Sequence, residues 1–257
     1  MKLIYASLFI LAFVLIAAAQ KSDDILATAT GHTFKLSDMP PDVQAQMAKL
    51  PGEVQKSRTD ILEQMINARV LDAEALVRKI SAGDMIKREL AAIPAPTEAE
   101  IKAIYDANRP ALGSKTLQQV RKQIVSYLRR DPEQKKINAL ITSLRAKYKV
   151  VMGKDVKAPD LAPADVVATV NGQRINAAAF DANAKSELYG LRAEYADFLL
   201  DKLNEAIYLT LVSEEAKTQN IEAGALISRE ITSKLKDYSD QEQTMLRNAF
   251  VEKLYAK

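Results

Sequence analysis

The chain has 257 residues, 48% of them hydrophobic and 27% charged, enough to bury a core and compatible with one or two domains. Its 36 basic residues against 33 acidic ones leave a formal charge of +3 with no long run of one sign, so the electrostatic footprint of a nucleic-acid binder is missing. Cysteine is absent and His32 is the single histidine, which excludes disulfides, thiol catalysis and cysteine-ligated metal and argues against a zinc or iron site.

Glycine is scarce, tryptophan is absent, and Ala, Leu, Lys, Glu and Gln abound, so the expected fold class is mainly α with short β-hairpins. The chain begins with Lys2, an apolar run Leu3–Ile16 and Ala17-Ala18-Ala19 before Gln20. That order of charge, apolar stretch and small residues reads as a Sec signal peptide over 1–19, which sends the remainder to the periplasm. The alternative is an uncleaved inner-membrane anchor over residues 3–19, at the lower limit of a spanning helix.

Asp24–Phe34, DILATATGHTF, alternates apolar and small polar residues into a turn at Gly31 and predicts a two-stranded hairpin. Leu36–Leu50 follows at helical spacing, with Pro40-Pro41 at its start and Pro51-Gly52 as its stop. Ile61, Leu62, Met65, Ile66, Val70, Leu71, Ala75 and Leu76 recur every three or four positions and predict a long amphipathic helix from about Val54 to Ile80. A shorter helix spans Asp84–Ala92. Thr97-Glu98-Ala99-Glu100 is a capping box that starts another helix, running to about Asn108. Thr116–Lys149 carries two amphipathic stretches with a break or kink expected at Asp131-Pro132, where Asp as N-cap and Pro at the first helical position signal a restart. Tyr148–Met152 closes the segment as a short strand, for which the hairpin at 25–34 is the expected partner.

Gly153–Ala164 has two prolines and no periodicity, the mark of a linker. Beyond it the chain repeats itself at an offset of 141 positions: Asp165–Ile175, DVVATVNGQRI, matches Asp24–Phe34, Leu203 matches Leu62, Ile207 matches Ile66, and Glu215-Ala216 matches Glu74-Ala75. Asn171-Gly172 is a strong two-residue hairpin turn. Ser239-Asp240-Gln241-Glu242 restores the capping box one residue out of phase. The second copy has no counterpart of the long helix pair and closing strand, so its hairpin either shares Val150–Met152 or is completed by chain beyond Lys257.

VVATVNGQRI followed by an amphipathic helix, the Glu215-Ala216 pair, and Thr97–Tyr105 together resemble the chaperone module of SurA-like periplasmic proteins, related to the trigger-factor peptide-binding domain. Leu117–Met152 is similar to the C-terminal arm that returns to the N-terminal hairpin in that family. The resemblance implies two related SurA-like modules, over 24–152 and 165–257 with 153–164 as linker, the second lacking its C-terminal helix pair and strand. The parvulin prolyl isomerase domain that members often carry has no room in Arg109–Lys115, so no isomerase activity is carried over.

The expected function is an ATP-independent holdase for unfolded or nascent exported polypeptides, with no cofactor, no metal and no nucleotide. The alternative is a non-catalytic envelope scaffold whose apolar surfaces pack against a second copy as a homodimer; prolyl isomerisation stands as the enzyme alternative. Met39, Met47, Met65 and Met85 are candidate client contacts, because a flexible thioether fits many apolar segments, although methionines equally fill helical cores. Tyr105 and Leu112 are candidate cradle walls. Gly31, Asn171 and Gly172 are read as structural turn residues. Asp23-Asp24, Glu98 with Glu100, and Glu214-Glu215 are read as structural charges, the Arg129-Arg130 and Lys135-Lys136 pairs as a solvated helix face, and His32 as an exposed turn residue.

Overall fold

In the computed structural model, which describes residues 24–29 and 31–255, both glycine turns close antiparallel hairpins. The signal-peptide reading lies outside the described residues. Strands β1 (Ile25–Ala29) and β2 (His32–Lys35) form the first hairpin, and β4 (Val166–Val170) and β5 (Gln173–Asn176) the second. The two agree pair by pair. Thr28 faces Thr33 as Thr169 faces Arg174, and the same irregularity interrupts each first strand, at Ile25/Ala27 and at Val166/Ala168. In the first turn Gly31 has φ +82°; in the second, Asn171 and Gly172 have φ +50° and +77°, the pair of positive values a type I′ turn demands.

Prolines decide where the helices after each hairpin break. In the first copy they yield a short 3-10 turn, α1 (Pro41–Met47) and α2 (Leu50–Arg78). Pro51-Gly52, expected to stop a helix, instead occupies the first turn of α2, where a missing N–H costs nothing. In the second copy the positions of Pro40, Pro41 and Pro51 are held by Asp181, Ala182 and Arg192, and one helix, α7, runs from Ala177 to Thr218. Both α2 and α7 end alike. Lys79 and Asn220 sit at φ +54° and +55°, and the next amide donates back five residues, Ile80 to the Ala75 carbonyl and Ile221 to the Ala216 carbonyl.

Next come α3 (Ala82–Ala91), α4 (Glu98–Ala107), the short α5 (Arg109–Leu112) and α6 (Leu117–Lys147). Ser81 caps α3, and Thr97 and Thr116 head full capping boxes with Glu100 and Gln119. The break expected at Asp131-Pro132 does not occur: α6 continues through Pro132, whose exposed ring leaves packing on the helix's other face intact. After the second hairpin, α8 (Ala223–Glu230) and α9 (Asp240–Tyr255) mirror α3 and α4. Ser239 accepts from the Glu242 amide, but the Glu242 carboxylate turns instead to the amides of Lys236, Asp237 and Tyr238. No described helix is long and apolar enough to cross a membrane.

Strand β3 shrinks to Val151–Met152 and pairs with β4, in the order β3-β4-β5, so the second hairpin shares this strand, one of the two expectations for it, and the first hairpin is not the partner expected for β3. Gly153 explains the choice. Its amide donates to the Val167 carbonyl at 2.9 Å, and a Cβ there would stand 2.1 Å from the Val166 oxygen, so only glycine allows the approach. The Asn171 amide adds a bond to the Tyr148 carbonyl at 2.7 Å.

The chain divides into two compact units that do not follow the repeat boundaries. One unit holds residues 24–55 and 187–255. Its core joins Leu26, Phe34, Met39, Val43 and Met47 to Leu203, Ile207, Leu211, Leu226 and Phe250. The other holds residues 56–186, where Ile61, Leu62, Ile66, Val70, Met85, Val167, Ile175 and Phe180 are buried and Ile101, Tyr105, Val120 and Ile124 pack between α4 and α6. Each unit thus takes the hairpin of one copy and the long-helix segment of the other.

Candidate polypeptide-binding groove

Helix α6 is the support of the second unit, and its two ends are fastened by different chemistry. At the N-terminal half Val120 and Ile124 meet Ile101 and Tyr105, and Arg121 grips Glu98 with both guanidinium nitrogens, which holds that carboxyl below its ordinary range. At the C-terminal end Glu74 of α2 is 6% exposed and accepts from three donors: Lys147 Nζ, Tyr148 Oη at 2.9 Å and Arg78 Nε at 2.7 Å. The bonds from Lys147 and Arg78 outweigh the cost of burial and lower its pKa from 4.5 to about 2. Arg145 of α6 pairs with Glu63, about three turns before Glu74 on α2. These contacts give the Glu74-Ala75 motif a structural role: its carboxylate locks the end of α6, and hence β3, onto α2.

In its middle, α6 meets the C-terminus of α3. Arg129 donates to the carbonyls of Leu90 at 3.1 Å and Ile93 at 3.4 Å at the end of α3, where the helix dipole favours a cation; the Leu90 carbonyl also accepts from the Ile93 amide at 3.2 Å. The same guanidinium holds Glu133 at 2.7 Å, and Lys136 reaches Glu89 at 3.3 Å. Arg129 and Lys136 are therefore fastened to neighbours, whereas Arg130 and Lys135 are exposed as expected of a solvated face.

Along this seam lies an open groove of about 760 Å³, lined by Leu90, Tyr127 and Ile137 with Lys122, Arg130 and Gln134 among its polar groups. The groove is wide open to solvent, a surface depression and not an enclosed cavity. Tyr127 is 60% exposed, an aromatic left in water. Lys122 and Arg130 form no ion pair among the described residues, while Glu133 is engaged by Arg129, so the groove presents apolar surface beside free positive charge.

The residues singled out from sequence lie elsewhere. Met39 and Met47 are buried in the core of the first unit and Met85 is fully enclosed in the second, so the expectation that they face a client is corrected: they are packing residues. At the 141 offset their counterparts are Phe180, Leu188 and Leu226, all buried, so this signal was present in the repeat. Met65 is half-buried on α2. Tyr105 is buried and donates its hydroxyl to the Lys115 carbonyl at 2.9 Å, and Leu112 packs beside it, so both close a core and do not wall an open cradle. The groove residues Leu90, Tyr127 and Ile137 were missed because they read as ordinary positions of amphipathic helices; they share one space only where α3 ends against α6.

His32 lies in β2, not in the turn, and its Nε2 stands 2.8 Å from Glu214 Oε1 of α7, tying the first hairpin to the helix it packs on. Glu100 closes a capping box and Glu98 holds Arg121, so both have the structural role expected of them. Among the described residues no cluster of histidine, aspartate and glutamate could hold a metal. Comparison with protein-family models, with curated proteins and with solved structures finds no match to this chain.

Proposed function

We propose that the chain is a periplasmic holdase of SurA-like type, two related modules in one polypeptide, which binds unfolded or nascent exported proteins without ATP and without chemistry. The observation that carries this reading is the open groove along α6, where Leu90, Tyr127 and Ile137 lie beside Lys122 and Arg130, which form no ion pair among the described residues. An apolar surface with charge at its margin accepts many segments at modest affinity and shields them from one another, lowering the free unfolded population by mass action. The resemblance of the hairpin-helix order to the SurA chaperone module supports the same reading, and the N-terminal apolar run supports export. N-terminal sequencing of the exported protein tests the last point, a Gln20 start being the expected result.

The functional test is suppression of aggregation of reduced lysozyme at equimolar protein. Protection is expected, and Tyr127→Ala is expected to weaken it several-fold without lowering thermal stability, because that ring is mostly in water. Absence of protection at stoichiometric amounts sinks the holdase reading. A self-associating scaffold is the second reading, favoured by Leu76 and Val77, which stand 80% and 65% exposed side by side on α2. A concentration-dependent dimer that leaves aggregation unchanged would establish it. Clear catalysis in a proline-limited refolding assay would replace both by an isomerase.

A further inference from the structure

The two hairpins are equivalent in register and bulge, yet among the described residues only the second has a third strand. In β4, Thr169 pairs with Val151 and Ala168 with Met152 of β3. At the 141 offset these positions are Thr28 and Ala27 of β1, and among the described residues no strand lies along that edge. Residues flanking a two-residue turn exchange their bonds, so Ala29 and Ala27 direct their N–H and C=O groups to β2, and Thr28 directs its own outward. The burial follows the same division. Ala168 is buried where Ala27 is half-buried, Thr169 is half-buried where Thr28 is exposed, and Val166 is half-buried where Ile25 is 53% exposed.

We propose that the outer edge of β1 is a strand-docking site, filled by an extended segment of a bound non-native polypeptide that pairs antiparallel with Ala27 and Thr28 as β3 pairs with Ala168 and Thr169. The occupant's chemistry is read from β3. Val151 and Met152 are 61% and 53% exposed, so that position is held by backbone hydrogen bonds and by residues that tolerate extended geometry, with little demand on side-chain identity. An edge of this kind accepts β-branched or apolar segments, rejects a proline opposite Thr28, and exposes Ile25 to the docked strand's neighbours. This inference rests on the reading of the protein as a polypeptide holdase and gives it a second mode of engagement, by backbone pairing, distinct from the α6 groove.

The probe is a synthetic peptide of residues 147–154, KYKVVMGK, the segment that fills the equivalent place, added to the full chain while amide hydrogen exchange is followed by NMR. The Thr28 amide is expected to exchange at least tenfold more slowly with peptide bound, while the Ala27 and Ala29 amides, already committed to β2, change little. Thr28→Pro removes the outward donor and is expected to abolish peptide binding with Tm unchanged, whereas Thr169→Pro, at the filled edge, is expected to lower Tm. Unchanged exchange at Thr28, with reduced lysozyme still protected from aggregation, overturns the strand site and leaves the holdase reading standing. Failure of both overturns both. A Thr28 amide already protected in the free chain, or a dimer that buries it, also overturns the proposal, since the edge is then filled by the protein's own chain.

Discussion

Replacing Glu74 by glutamine isolates the contact that fastens α6 to α2. The substitution keeps the side-chain volume and leaves an oxygen for Tyr148 Oη, now at 2.9 Å, but removes the charge that Lys147 and Arg78 share. A pKa lowered from 4.5 to about 2 corresponds to about 3 kcal/mol of preference for the ionised form in the folded state. Lys147 and Arg78 are 51% and 41% exposed, so solvent screens part of this, and about 2 kcal/mol is the expected loss at neutral pH. For a chain of this size that is about 4–8 °C in Tm. Because the folded-state pKa lies below the unfolded one, the stabilisation is fully present above about pH 5 and disappears as pH falls toward 2. Wild type and Glu74→Gln should therefore differ by a constant amount from pH 5 to 8 and converge in acid. The chain has no tryptophan and nine tyrosines, so urea unfolding is followed by circular dichroism or tyrosine fluorescence. Equal stability at pH 7, or a difference that persists at pH 2, refutes the argument.

Three further substitutions test the packing assignments. Met85→Ala is expected to destabilise by about 2–5 kcal/mol in denaturant unfolding, since Met85 is fully enclosed; a loss of client protection at unchanged stability would instead return it to the binding surface. Pro132→Ala restores a helical N–H inside α6 and is expected to raise stability by about 1–3 kcal/mol, measured the same way. Gly153→Ala forces a Cβ against the Val166 backbone and is expected to cost about 1–3 kcal/mol and to speed exchange of the Thr169 amide by freeing β3.

Local chemistry was legible where it acts within a few residues. The capping box at Thr97, the turn at Asn171-Gly172 and most of the long helix, expected from about Val54 to Ile80 and found at Leu50–Arg78, follow from propensity, caps and turn conformation, which need no tertiary information. Pro51 and Pro132 were misread because proline removes one hydrogen bond but does not say whether that bond was needed; the first turn spares it, and a helix packed along its length survives its loss. The methionines were misread because composition does not tell a buried thioether from an exposed one, whereas their repeat partners Phe180, Leu188 and Leu226 do. The groove depends on where α3 ends against α6, a tertiary fact carried by Arg129, which no spacing along the chain announces.

The exchange of hairpins between copies has a cause in the same prolines. Both copies carry matching apolar positions, Leu62, Ile66 and Val70 against Leu203, Ile207 and Leu211, so either long helix could receive either hairpin. In the second copy, however, nothing breaks the helix between residues 177 and 218, and a continuous helix cannot fold its first turns back onto its own far half. The hairpin at its head must pack elsewhere, which leaves Leu203, Ile207 and Leu211 to be covered by Leu26, Phe34 and Met39 from the first copy. Cutting the chain in the linker, into residues 20–152 and 153–257, should then give two fragments of which neither holds the core of the first unit. Residues 153–257 alone are expected to show no cooperative thermal transition, and mixing the two fragments should restore the helical signal and a single transition. Cooperative folding of 153–257 by itself would mean that the second hairpin can reach its own helix, and that the continuity of α7 does not dictate the exchange.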